Sequence, residues 1–223
     1  MPVISVTSPK GGVGKTTTAT LLSTILAERG ISVILIDADP NGAVSLWAAR
    51  GAGVPKNLQV VPAGAPNEFV RQIDASAATA AYVVVDLEGR AGQMAAYATA
   101  LSDFVIIPTQ GSQLDAEQTV RHIQLIKDQE RVSRRRIPFA VIFTRTSAAV
   151  RPTGQAFIQA SFAEDGIPTF ATQIADREAY RAIFSFGGTL AGLKDSGARV
   201  GKLSSAIENA DAFVDELLQQ VAA

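Results

Sequence analysis

The sequence predicts an α/β fold, a mostly parallel twisted sheet with helices on both faces. Short runs such as SVILID and YVVVDL are apolar at consecutive positions, as strands covered on both faces require. Segments of helical period separate these runs, so strand and helix alternate along the chain. No composition break, repeat or low-complexity tract divides the 223 residues, which predicts a single domain over 1–223.

The first strand is VISVTS, short and β-branched, and it runs through a glycine-rich loop into KTTTATLLSTILAERG. There Leu22, Ile25, Leu26 and Arg29 step at helical spacing, and Gly30 suits the helix end. SVILID follows as a buried strand and closes one βαβ unit. The rhythm repeats with LQVVP, a helix over about 67–78, YVVVDL, a helix around 91–101, and FVIIP. QLDAEQTVRHIQLIKDQE then predicts a long helix, PFAVIFTR a strand and TGQAFIQASFAED a helix. IADREAYRAIF and SSAIENADAFVDELLQQV are predicted as the closing helices. A sheet of this kind binds its ligand at the C-terminal ends of the strands.

Hydrophobic residues make up 47% and charged residues 18%, a balance that excludes a disordered or coiled-coil chain. No stretch reaches the roughly 18 to 20 apolar residues of a spanning helix, and no basic-then-apolar leader opens the chain, so a cytoplasmic address is expected. Cysteine is absent, which excludes disulfides, thiolate-ligated zinc and cysteine-held iron–sulfur clusters. The formal charge of −1 gives no global attraction to nucleic acid or lipid, so any such binding needs a local patch.

Residues 11–16, GGVGKT, carry the chemistry of a phosphate-binding loop, and they lie between a strand and a helix, where that chemistry works. Gly11, Gly12, Val13 and Gly14 bring backbone N–H groups close to an anion, Lys15 adds charge, and the Thr16 hydroxyl suits magnesium, with Thr17 following. The chain is thus expected to be a P-loop ATPase using ATP and Mg2+. Pro9 stands where such loops carry their first glycine, and Lys10 is a second lysine. Magnesium needs a further carboxylate at a strand end; Asp37, Asp39 and Asp86 all lie where an apolar strand meets a loop. Taken singly, each acid also suits a helix cap or turn, as Asp39 before Pro40 does.

KGGVGKTT, DADPNG and VVVDLEG, in this order and spacing, resemble the ParA/MinD family of deviant-Walker ATPases, and SDFVIIPTQGSQLDAEQ is similar to the family's next segment. The resemblance covers nearly the whole chain and is nearest to short plasmid-type ParA proteins, with no helix-turn-helix extension ahead of the loop. It implies that Lys10 reaches the phosphates of a partner in an ATP-sandwiched homodimer. It also implies that Asp39 orients the attacking water and that Asp86 serves magnesium, with Asp37 beside it. Asn41 replaces the usual glutamine of the second motif, and DLEGR departs from the usual third motif, which gives Glu88 and Arg90 a place in the switch after Asp86.

Three uses of that switch are open to the sequence. The first is positioning of plasmid or other cargo, by nonspecific DNA binding of the ATP dimer on the nucleoid and release by a ParB-like or cargo-adaptor partner that stimulates hydrolysis. Two basic groups offer the surface: Lys127, Arg131, Arg134, Arg135 and Arg136, or Arg177, Arg181, Lys194, Arg199 and Lys202. The second is a MinD-like membrane switch, which the C-terminal segment argues against. It carries Glu208, Asp211, Asp215 and Glu216 and no lysine or arginine, and Phe213, Val214, Leu217 and Leu218 are expected to pack on the sheet. The third is a small-molecule ligase or kinase, disfavoured by the extra Lys10. His122, the only histidine, has no metal-ligand partner nearby in sequence, and Trp47 with Leu46 is expected to pack a helix. Thr144 and Arg145, ending a late strand, are candidate adenine contacts.

Overall fold

The computed structural model describes residues 1–50, 53–89, 92–150, 152–197 and 200–222. Its first half alternates β1 (Val3–Val6), α1 (Lys15–Glu28), β2 (Val33–Ala38), α2 (Ala43–Ala48), β3 (Leu58–Pro62), α3 (Pro66–Thr79), β4 (Tyr82–Leu87) and α4 (Gln93–Leu101). The second half holds β5 (Phe104–Thr109), α5 (Gln113–Ser133), β6 (Phe139–Thr146), α6 (Thr153–Glu164), β7 (Ile174–Ala175), α7 (Glu178–Phe186), a 3-10 turn at Gly192–Lys194 and α8 (Leu203–Ala222). The strands form one sheet in the order β3-β2-β4-β1-β5-β6-β7. All pairings are parallel.

Successive strand residues face opposite layers, which is why the strands are apolar throughout. Ile4, Val6, Leu35, Val84, Ile106 and Ile142 pack with α1, α7 and α8, whereas Val83, Val85, Val105, Val141 and Phe143 pack with α3, α4, α5 and α6. β1 is central, with β4 on one side and β5 on the other. The chain therefore leaves β1 at the point where the strand order reverses, the crevice in which such sheets bind ligands.

The predicted helix over 174–184 is corrected by the structure. Ile174 and Ala175 form β7, paired with Thr144 and Thr146 of β6, and the helix starts at Glu178. Asp176 N–H still bonds Thr146 O at 2.8 Å, so the ladder hydrogen bonds of an edge strand override the helical pattern there. Trp47 packs as expected, buried with Nε1–H donating to Gly188 O at 3.0 Å, but Leu46 is 57% exposed and does not. Among the described residues, no helix is long and apolar enough to cross a membrane. α8 buries Phe213, Val214 and Leu217, with Leu218 half-buried, and packs on α1 and β7. Asp211 and Asp215 pair with Arg29 of α1 at 2.8 and 2.6 Å.

Candidate functional site: the phosphate loop and its acids

The loop between β1 and α1 lines a cavity of about 540 Å³ together with Asp39, Asn41, Glu88, Gly89 and Arg145. Gly14 caps α1 with a left-handed backbone, φ 94°, which an L side chain resists. Free N–H groups of the first helical turn then point into the cavity, with the positive end of the helix dipole behind them. Lys15 is 6% exposed, and its Nζ donates to Lys10 O at 3.1 Å, which folds the loop over its own lysine. Burial pushes the Lys15 pKa down, while Asp86, Asp39 and Glu88 act in the opposite direction. An anion in the cavity adds to that support.

Three acids from two strand ends surround this loop. Asp86 is fully buried, and neither oxygen has a hydrogen bond of normal geometry among the described residues. Burial raises its pKa to about 7; Asp37 and Asp39 add to the rise, and the Thr16 hydroxyl and Lys15 hold it back. An orphaned carboxylate beside a hydroxyl is a donor set that suits magnesium, so Thr16 and Asp86 fit that ion. Among the described residues no group of three or more His, Asp or Glu could hold a metal, so a cation here depends on phosphate oxygens and water for its other ligands. Asp37 has a different occupation: its Oδ2 accepts from Ser45 N–H at 2.8 Å and Ser45 Oγ at 2.7 Å, tying α2 to the sheet, while Oδ1 is buried and unpaired. Asp39 lies at the cavity wall, its Oδ1 accepting from the Asn41 backbone at 2.9 Å and side chain at 2.8 Å.

Lys10 is outside the cavity lining. Its side chain is 44% exposed, and Nζ bonds Asp115 Oδ1 at 2.5 Å, with Asp115 itself 4% exposed. Asp115 lies in the first turn of α5, where its N–H bonds the capping Ser112 Oγ and its carboxylate accepts from the same hydroxyl. Sequence reading missed Asp115; the Ser-x-x-Asp capping pattern marked a helix start but not its partner 105 residues away. Gly89 was missed too. A Cβ there would stand 3.0 Å from Gly11 N, 3.1 Å from Lys10 C and 3.1 Å from Lys15 Nζ, so the loop after β4 rests directly on the phosphate loop.

A second cavity of about 350 Å³ adjoins the first through Gly14, Thr17 and Arg145, and suits a base and ribose. Thr144 is buried, and its hydroxyl donates to Val13 O at 2.5 Å, so it braces the loop from below. Arg145 holds a left-handed backbone, φ 52°, and lines both cavities. Asp176, Arg177, Tyr180, Arg181 and Phe184 complete the lining. Of the second basic group, Arg177 and Arg181 line this cavity, and Arg181 is paired with Asp176. Arg90 and Arg199 lie outside the described residues.

A P-loop cavity at the reversal of a parallel sheet, flanked by strand-end acids, defines a nucleotide-binding domain. The chain belongs to the CobQ/CobB/MinD/ParA nucleotide binding domain family, whose model matches residues 4–190. It is 38% identical over 221 residues to the protein ParA of Rhizobium radiobacter, covering 99% of this chain and 98% of that one. Its fold is similar to that of apo McdA of Cyanothece, with a TM-score of 0.77 at 18% identity over 96% of this chain and 99% of that one. It is also similar to a putative plasmid partition protein of Borrelia burgdorferi bound to AMPPNP, with a TM-score of 0.69 at 19% identity over 98% of this chain and 99% of that one.

Proposed function

We propose that this chain is an ATP-dependent dimerisation switch that positions intracellular cargo on DNA. The observation that carries the reading is the division of labour between two lysines. Lys15 is buried and lines the cavity of its own subunit, while Lys10 is outside that lining, its half-exposed side chain held by Asp115. An ammonium about 4 Å from a phosphate charge is worth roughly 4 kcal/mol at an effective dielectric near 20. In a dimer closed over ATP, Lys10 exchanges Asp115 for the partner's phosphates, and loss of the γ-phosphate returns it. Hydrolysis, with Asp39 orienting water and Lys15 stabilising the transferred charge, then sets the dimer's lifetime. A ParB-like or cargo-adaptor protein is the expected stimulator.

Nonspecific DNA binding falls to the basic group nearest the nucleotide. Lys194 and Lys202 are exposed in the segments that follow the cavity wall, whereas the arginines ending α5 lie about 30 Å along that helix from Lys10's partner. The acidic C-terminal helix is packed on α1, which argues against a membrane-inserting tail. Nucleoid association in the cytoplasm follows from this reading.

Light scattering with ATP tests the switch. Lys15→Ala loses nucleotide binding, Lys10→Ala binds ATP without dimerising, and Asp39→Ala keeps ATP and stays dimeric. A normal ATP dimer from Lys10→Ala overturns the reading. DNA binding with ATP, ADP or no nucleotide, run beside liposome flotation, separates DNA from membrane as the surface.

A further inference from the structure

A second site lies on the opposite layer from the base pocket, between α4 and α5. There a groove of about 340 Å³ is walled by Ala95, Ala96, Leu125 and Ile126, with His122 and Thr99 in its lining. His122 is 8% exposed, and neither of its nitrogens has a hydrogen-bond partner among the described residues. A buried imidazole without partners bears the desolvation cost of both nitrogens, and a ligand O–H or N–H group donating to the acceptor nitrogen recovers part of it. Burial lowers its pKa to about 4, with Lys15 adding to the effect, so at neutral pH it is an uncharged donor and acceptor.

The groove does not end at His122. Leu125 and Val132, seven residues apart on one face of α5, are 50% and 81% exposed and extend an apolar edge along it. At the far end Arg135 donates to Ala100 O at the close of α4 and pairs with Asp103, and Arg131 and Arg134 are exposed, Arg131 3.5 Å from Asp128, which also lines the groove; the cations outnumber the acids there. A small free molecule would use the groove alone. The apolar edge and the positive end together fit a chain segment with an aromatic residue followed by acids.

We propose that the α4–α5 groove docks a segment of a partner polypeptide, which inserts a tyrosine or tryptophan side chain beside His122 and lays acidic residues over Arg131 and Arg134. The groove begins at Gly92 and Gln93, three residues beyond Gly89, which rests on Lys10, Gly11 and Lys15. Docking does not rest on the switch reading.

The test uses the 223-residue chain without nucleotide, labelled with nitrogen-15, in which the one histidine gives one pair of imidazole signals. The probes are p-cresol, toluene and the peptide acetyl-Tyr-Gly-Asp-Glu-Asp-amide. We expect p-cresol to shift the imidazole signals saturably and to bind about fivefold tighter than toluene, the difference one hydrogen bond makes. His122→Phe should level the two ligands, and Leu125→Asp, at an exposed position, should abolish both. The peptide should displace p-cresol, and the pair Arg131→Glu with Arg134→Glu should weaken the peptide about fivefold without changing p-cresol binding. Unmoved imidazole signals, or equal binding of p-cresol and toluene, overturn the site. A peptide that fails to displace p-cresol, or ignores the charge reversal, overturns the docking. If His122→Phe does not fold, Leu125→Asp and the toluene comparison decide alone. These readouts contain no ATP, so failure of the switch reading leaves them standing.

Discussion

Asp86 and His122 are buried titratable groups displaced in opposite directions, and their effects on stability oppose each other. Asp86 has a native pKa of about 7 against an unfolded value near 3.9, so the native state keeps a proton that the unfolded chain has lost. Its contribution is full below about pH 4 and is lost by about pH 7, roughly 4 kcal/mol in all. His122 has a native pKa of about 4 against about 6.5 unfolded, so its contribution is full above about pH 6.5 and is lost as pH falls to about 4, roughly 3 kcal/mol. In nucleotide-free protein the two offset, and urea midpoints should be nearly flat between about pH 4.5 and 6.5. Asp86→Asn should leave stability rising with pH across that window, and His122→Phe should leave it falling. Parallel profiles for the three proteins would remove this account. Of these two residues Asp86 was legible, because a strand end before a loop marks it. The isolation of His122 was not, since its orphaned nitrogens depend on what α4 and α5 bring together.

At the scale of elements, contiguous pieces were readable and assembled ones were not. GGVGKT announces its loop because the features of a phosphate loop lie in adjacent residues, and six strands and most helices follow from apolar period. β7 escaped because two residues carry no period; only pairing with β6 makes it a strand. With it escaped the wall of the base cavity, which hangs from that strand. The packing of the loop after β4 on the phosphate loop predicts that Gly89→Ala, which needs room among backbone atoms at 3.0 to 3.1 Å, lowers nucleotide affinity about tenfold or more in calorimetry. The protein should still fold. For α8, Phe213→Ala should cost about 3 to 5 kcal/mol in urea unfolding, as large aromatic truncations in cores do, because its ring is fully buried against Phe170 and the α1 layer. Arg29→Ala, which loses only exposed ion pairs, should cost less than about 1 kcal/mol.

For the whole molecule, a net charge of −1 means that the proposed DNA binding depends on where lysines sit and not on how many there are. If Lys194 and Lys202 of two protomers each neutralise one phosphate, four contacts give a log–log salt slope of about −4. Lys194→Glu with Lys202→Glu should flatten that slope and leave ATP-dependent dimerisation intact in light scattering. The reversed outcome, DNA binding lost on changing Arg131 and Arg134, would move the DNA face to the other end of α5. That helix is also a lever. Asp115 in its first turn holds Lys10, and Arg131 and Arg134 at its other end follow about 24 and 29 Å later. A tilt of about 5° about the Asp115 end, well within what packed helices accommodate, sweeps the arginines through about 3 Å. In the proposed exchange of Asp115 for phosphate by Lys10, a local change of partner at one end of α5 is thus enlarged at its other end.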